Sequence, residues 1–130
     1  MGTEFIEGPV LGDLLKWEQG GRFSREAVTV LGGSGAERVL ALGAVVGQIT
    51  ATEKIVALDP AASDGSEVAS GVMIGKVTAP DAVDMPGVAV VRDAIVMPSA
   101  LVWPDGITEL QKEAALDQLK AKGIITRKEV

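Results

Sequence analysis

From Ser24 onward the apolar residues fall in short β-branched runs punctuated by Gly and Pro, the pattern of a β-rich domain. Five strands are predicted, near 26–31 (EAVTVL), 44–50 (AVVGQIT), 54–58 (KIVAL), 71–77 (GVMIGKV) and 87–97 (GVAVVRDAIVM). Turn chemistry separates them: Gly32-Gly33-Ser34-Gly35, Thr52-Glu53, Asp64-Gly65 and Asp84-Met85-Pro86-Gly87. The irregular spacing supports neither a repeat array nor a βαβ alternation.

The one helical segment comes late. Thr108-Glu109-Leu110-Gln111 has the capping-box form, and a helix is predicted over about 109–122, ended by Gly123 in the left-handed conformation. Asp105, Glu109 and Glu113 lie early and Lys120 and Lys122 late, as the helix dipole prefers. At 100° per residue, Ala115, Leu116 and Leu119 share one side, while Leu110, Ala114 and Ala121 fall nearly opposite. One face suits the chain's own sheet. The other suits either a second subunit or, since Ala is small, plain solvent.

Residues 1–23 stand apart. Gly8, Pro9, Gly12, Gly20 and Gly21 interrupt any regular period, yet Phe5, Ile6, Val10, Leu11, Leu14, Leu15 and Trp17 are apolar. This reads as an extended arm that needs cover, supplied either by a partner or by its own domain. The expected organisation is therefore an arm, 1–23, and a β-rich domain, 24–130: a mainly β, α+β chain with a single C-terminal helix.

Composition narrows the function classes. The chain has 130 residues, fitting one domain, and 47% hydrophobic residues supply a core built from Ala, Val, Ile and Leu, because Phe5, Trp17, Phe23 and Trp103 are the only aromatic residues. A net charge of −6 repels a phosphate backbone and argues against a nucleic-acid partner. No run reaches the roughly 18 apolar residues of a membrane span, and the N-terminus lacks a signal-peptide pattern, so a soluble, unexported protein is expected. Absence of Cys rules out disulfides and thiolate metal sites.

Chemistry is scarce. Without His or Cys, the Ser-His-Asp and Cys-His arrangements and the common zinc sites are excluded. The acidic stretch Asp59-Pro60-Ala61-Ala62-Ser63-Asp64-Gly65-Ser66-Glu67 misses the calcium-loop pattern at Ala61 and reads better as a turn in which Asp59 caps Ala61-Ala62. The Gly-rich stretch 32–35 lacks the P-loop ending and the third Gly of a dinucleotide fingerprint, and Glu37 follows it; a flexible hairpin tip is expected. Val102-Trp103-Pro104-Asp105-Gly106-Ile107 sets a large ring and a turn just before the helix, as a core plug or as an aromatic anchor at a subunit interface. No catalytic residue, metal or cofactor is expected.

The succession Gly8-Pro9, Ser24-Arg25-Glu26-Ala27-Val28-Thr29-Val30, Val46-Gly47-Gln48-Ile49-Thr50-Ala51-Thr52 and Asp59-Pro60-Ala61-Ala62-Ser63-Asp64-Gly65-Ser66 resembles the lambda-like head decoration proteins of tailed bacteriophages. Arg92-Asp93-Ala94-Ile95-Val96 and Trp103-Pro104-Asp105-Gly106-Ile107 with the following helix extend the likeness in order over about residues 5–125. No single motif is diagnostic; order and spacing carry the specificity. The resemblance implies a β-clip-like fold, a homotrimer, and a location on the outer capsid surface of a virion assembled in the host cytoplasm. It further implies attachment to the major capsid protein at local three-fold sites of the expanded shell. It places the capsid contacts on the arm, at Phe5, Ile6, Gly8, Pro9, Leu14, Leu15 and Trp17, and the trimer contacts at Trp103, Pro104 and Ile107. It implies no small-molecule substrate.

The competing reading is a small β-clip-type module binding a sugar or nucleotide, for which Arg38, Arg92 and Asp93 are the polar candidates. The expectation for Arg92-Asp93 is instead an ion pair at a strand end.

Overall fold

The computed structural model describes residues 14–18 and 24–127. In chain order the elements are β1 (Leu15–Glu18), β2 (Arg25–Val30), β3 (Arg38–Leu40), β4 (Val45–Gln48), β5 (Ile55–Ala57), β6 (Ala69–Met73), β7 (Val77–Ala79), β8 (Met85–Val90) and β9 (Ala94–Val96). A 3-10 turn (Pro98–Ala100), helix α1 (Glu109–Lys120) and β10 (Ile124–Thr126) complete those of the described residues. The chain is mainly β with one C-terminal helix, as the sequence predicts.

Strands β2-β5-β4-β6-β8 close into a barrel, β1-β9-β10 form a second sheet, and β3 pairs with β7 in a two-stranded ribbon. The longest seam is β2 against β8, antiparallel from Arg25↔Val90 to Val30↔Met85. Closure rests on the parallel pair Val30↔Ile55.

Consecutive apolar residues on the barrel strands are explained by two cores. Side chains alternate between the faces of a strand, so a strand that is apolar at adjacent positions must be covered on both faces. Val30, Val46, Ile55, Met73 and Ala89, one from each barrel strand, pack together with Leu40 and Ala79 of the ribbon. Their sequence neighbours Val45, Val72 and Val90 belong to the other cluster, with Ala94 and Val96 of β9, Ala115 and Leu119 of α1, Ile124 of β10, and Leu14. Burying a Val or Leu of this kind stabilises by about 1.5–3 kcal/mol. The helix thus sits over the barrel wall, and the β1-β9-β10 sheet completes that layer.

Helix α1 starts as its sequence requires: the Gln111 amide donates to Thr108 Oγ1 at 3.1 Å, and the Thr108 amide donates to Gln111 Oε1 at 3.0 Å. Ala115 and Leu119 are buried, whereas Leu110 is 78% exposed. After Ala121 the chain reverses at Gly123, whose φ of +84° suits only a residue without a side chain, and β10 then runs parallel to β9.

The run 87–97, predicted as one strand, is two. Asp93 has φ +45°, and its amide donates to Lys122 O at 3.1 Å while the Ala94 amide donates to Gly123 O at 3.1 Å. The chain therefore leaves the barrel at Asp93 and enters the other sheet. Run 71–77 likewise splits around Ile74-Gly75, between β6 and β7. The Gly-rich stretch is not a hairpin tip, because β2 and β3 do not pair with each other. It is held across the molecule: the Gly32 amide donates to Asp84 Oδ1 and the Gly35 amide to Asp81 Oδ1, both at 2.8 Å. Within the expected arm, β1 pairs with β9 through Leu15↔Val96, Trp17↔Ile95 and Glu18↔Ala94.

Candidate partner surfaces

Of the predicted arm contacts, Phe5, Ile6, Gly8 and Pro9 lie outside the described residues. The other three share β1 or its start but face different ways. Leu14 is 1% exposed and packs in the core below α1, and its carbonyl accepts from the Met97 amide at 2.9 Å. Leu15 is half-buried against the same cluster. Trp17 is 50% exposed, which makes it the β1 side chain with apolar area to offer a partner. Leu14 is therefore covered by the chain's own core.

β1 is pinned at its far end by charge. Glu18 accepts from Arg25 Nε at 3.0 and 2.8 Å and from Arg25 Nη2 at 2.6 Å, which holds the Glu18 carboxyl below the usual carboxylate range.

The predicted trimer residues sit together before α1. Val102 is fixed beside β4, its amide donating to Gly43 O at 2.8 Å and its carbonyl accepting from the Val45 amide at 3.1 Å. Trp103 and Ile107 are half-buried and pack on the core cluster that contains Leu119, so Trp103 combines part of the core-plug role with an accessible edge. Pro104 and Ile107 line an open groove of about 560 Å³, facing Arg38, Asp59, Asp64 and Gln111.

Two of the three acids that line the groove, Asp59 and Asp64, accept bonds from their own turns; the third is Asp105. Asp59 Oδ1 accepts from the Ala61 amide at 3.1 Å, which is the predicted cap. Asp64 Oδ1 accepts from Ser66 Oγ at 2.6 Å and the Ser66 amide at 3.0 Å, lowering its pKa, while Glu67 Oε1 takes the Gly65 amide at 2.8 Å. Among the described residues, no group of three or more acidic side chains is placed to hold a metal ion.

The polar candidates of the sugar-module reading do not converge. Arg38 lines the groove with its Nε donating to Leu31 O at 2.9 Å, whereas Arg92 lies on a different surface beside Lys122 and Ser70 and pairs with Glu26 at 3.7 Å. That ion pair joins the ends of β2 and β8 rather than linking Arg92 to its neighbour Asp93.

Sequence reasoning missed four contacts that position these surfaces: Glu18 with Arg25, Asp84 with Gly32, Asp84 with Lys54, and Gln118, whose side-chain oxygen accepts from the Ala69 amide at 2.7 Å and ties α1 to β6. None is marked by local spacing. Comparison with curated proteins finds no match. The family model of the bacteriophage lambda head decoration protein D, however, matches residues 4–124 of the 130, and the chain belongs to that family.

Proposed function

We propose that this chain binds the outside of the expanded capsid as a β-clip-type homotrimer at local three-fold sites and reinforces the shell against the pressure of packaged DNA. The coarser statement follows from membership: the family is one of phage head decoration proteins, structural components associated with the capsid of the virion. The observation that carries the finer reading is the extent of the match, which runs from within the first residues through α1 and so covers arm and domain together.

The physical logic is one of linkage. A ligand that binds the expanded lattice and not other states stabilises that lattice by mass action. Three arms on one trimer turn modest single-arm affinities into strong attachment through effective concentration. In this reading residues 1–13, with Phe5, Ile6, Gly8 and Pro9, add to a sheet edge of the major capsid protein. Trp17 extends the contact from β1. Trp103, Pro104 and Ile107 meet neighbouring subunits through their accessible edges.

Imaging of empty capsids mixed with the protein tests this. Density at local three-fold positions on expanded shells, and none on unexpanded ones, is the expected result. Saturable binding of a sugar or nucleotide, with no capsid binding, would favour the module reading instead.

A further inference from the structure

We infer that Asp105-Gly106 is a site of spontaneous covalent modification, at which Asp105 isomerises to isoaspartate through a cyclic succinimide, while the fold keeps the chain's other Asp-Gly pair, Asp64-Gly65, inert. Asp-Gly is the dipeptide most open to this reaction, because a following Gly puts no side chain in the path of its own amide nitrogen. Both pairs therefore start with the same intrinsic reactivity, and their surroundings decide between them.

The reaction needs no co-reactant beyond water. The Gly106 amide nitrogen bonds to Asp105 Cγ; the hydroxyl of the neutral carboxyl leaves and, with the amide proton, departs as water. Water then adds back to the five-membered ring. Opening of the Cγ–N bond restores aspartate. Opening of the bond between the Gly106 nitrogen and the Asp105 main-chain carbonyl carbon routes the backbone through Cγ and leaves a free α-carboxylate. Attack requires a free amide, a neutral carboxyl and a backbone able to bring one onto the other.

At Asp64-Gly65 all three are withheld. The Gly65 amide donates to Glu67 Oε1 at 2.8 Å, and the Asp64 carboxylate accepts two hydrogen bonds from Ser66, which favour its ionised, unreactive form. The backbone is fixed as well, because the Thr50 amide donates to Asp64 O at 2.9 Å and Gly65 lies against Gln48 and Thr50.

Asp105-Gly106 is the opposite case. Both residues are exposed, and no atom lies within 4 Å of where a Gly106 Cβ would stand. Among the described residues neither the Asp105 carboxylate nor the Gly106 amide has a hydrogen-bond partner. The turn is closed by one long bond, from the Ile107 amide to Pro104 O at 3.4 Å. Isomerisation there inserts a methylene into the main chain between Pro104 and Ile107, directly before the Thr108 cap, and so loosens the seat of Ile107 on the core.

The test incubates the full folded chain in warm, mildly acidic to neutral buffer, digests it with trypsin, and measures isoaspartate in fragments 55–76 and 93–112 by enzymatic methyl transfer from S-adenosylmethionine. Fragment 93–112 should accumulate isoaspartate on the order of tenfold faster than 55–76, a barrier difference of about 1.4 kcal/mol. In urea the two should converge. Asp105→Glu, an exposed and conservative change, should remove the signal from 93–112. Equal accumulation in both fragments of the folded chain would overturn the inference, as would an inert 93–112 in the folded chain that reacts only in urea.

Discussion

Glu18, the last residue of β1, grips Arg25, the first residue of β2, through three hydrogen bonds of 3.0, 2.8 and 2.6 Å. The pair fastens the only strand N-terminal to the barrel onto the barrel's first strand, among the described residues. β1 reaches its sheet through a short antiparallel pairing with a register shift between Leu15 and Trp17, so it has little backbone support of its own.

The pair makes the attachment of β1 acid-sensitive. The hydrogen bonds from Arg25 lower the Glu18 pKa, so the pair's contribution is complete above the ordinary carboxylate range and is lost as pH falls through the lowered value. Asp64 and Asp84 are lowered too, by Ser66 and by Lys54 with the Gly32 amide, and act in the same direction. Glu18→Gln should reduce stability by about 0.5–1 kcal/mol at neutral pH. Thermal melts should show that deficit shrinking as pH falls below the ordinary carboxylate range; a deficit constant with pH would contradict the assignment.

The capping box gives a second expectation. Thr108→Ala removes the acceptor for the Gln111 amide and should cost about 1 kcal/mol, visible as a lower melting temperature and weaker far-ultraviolet helical signal. An unchanged melt would mean that tertiary contacts alone hold the helix start.

Gly123 is a sharper test of the fold. At φ +84° any side chain is strained, and a Cβ there would run into the Asp93 side chain and backbone. Gly123→Ala should destabilise by about 1–3 kcal/mol, more than the same change in an ordinary helix end. A neutral result would show that the β9-β10 junction is free to adjust.

Leu119 and Trp103 separate fold from assembly. Leu119 is fully buried, and Leu119→Ala should cost about 2–5 kcal/mol in urea titration. Trp103 is only half-buried, so Trp103→Ala should cost less stability while weakening self-association in sedimentation equilibrium. Loss of stability equal to that of Leu119→Ala, with self-association intact, would make Trp103 a core residue only.

Local chemistry was the legible part of this chain. Thr108 and Gln111 announce the helix because the cap is complete within four residues, and Asp59 announces its turn for the same reason. Strands β3 and β10 were invisible because three residues show no period and their partners, β7 and β9, lie far away in sequence. The single strand read over 87–97 hid a change of sheet, since the break at Asp93 depends on Ser24, Lys122 and Gly123. Leu14 looked like the apolar residues before it; only the pairing of β1 with β9 turns it inward. The family resemblance was carried by order and spacing, which survive where single contacts do not.

In the proposed attachment the arm, not the domain, supplies most of the binding to the shell, and the buried Leu14 fixes where to cut. Cosedimentation with empty expanded capsids should compare the full chain with one lacking residues 1–12, which keeps Leu14 in the core and β1 on its sheet. The shortened chain should remain folded by circular dichroism and still self-associate, while its capsid affinity falls by on the order of a hundredfold or more as three-arm avidity is lost. Equal capsid binding by the two chains would contradict the claim.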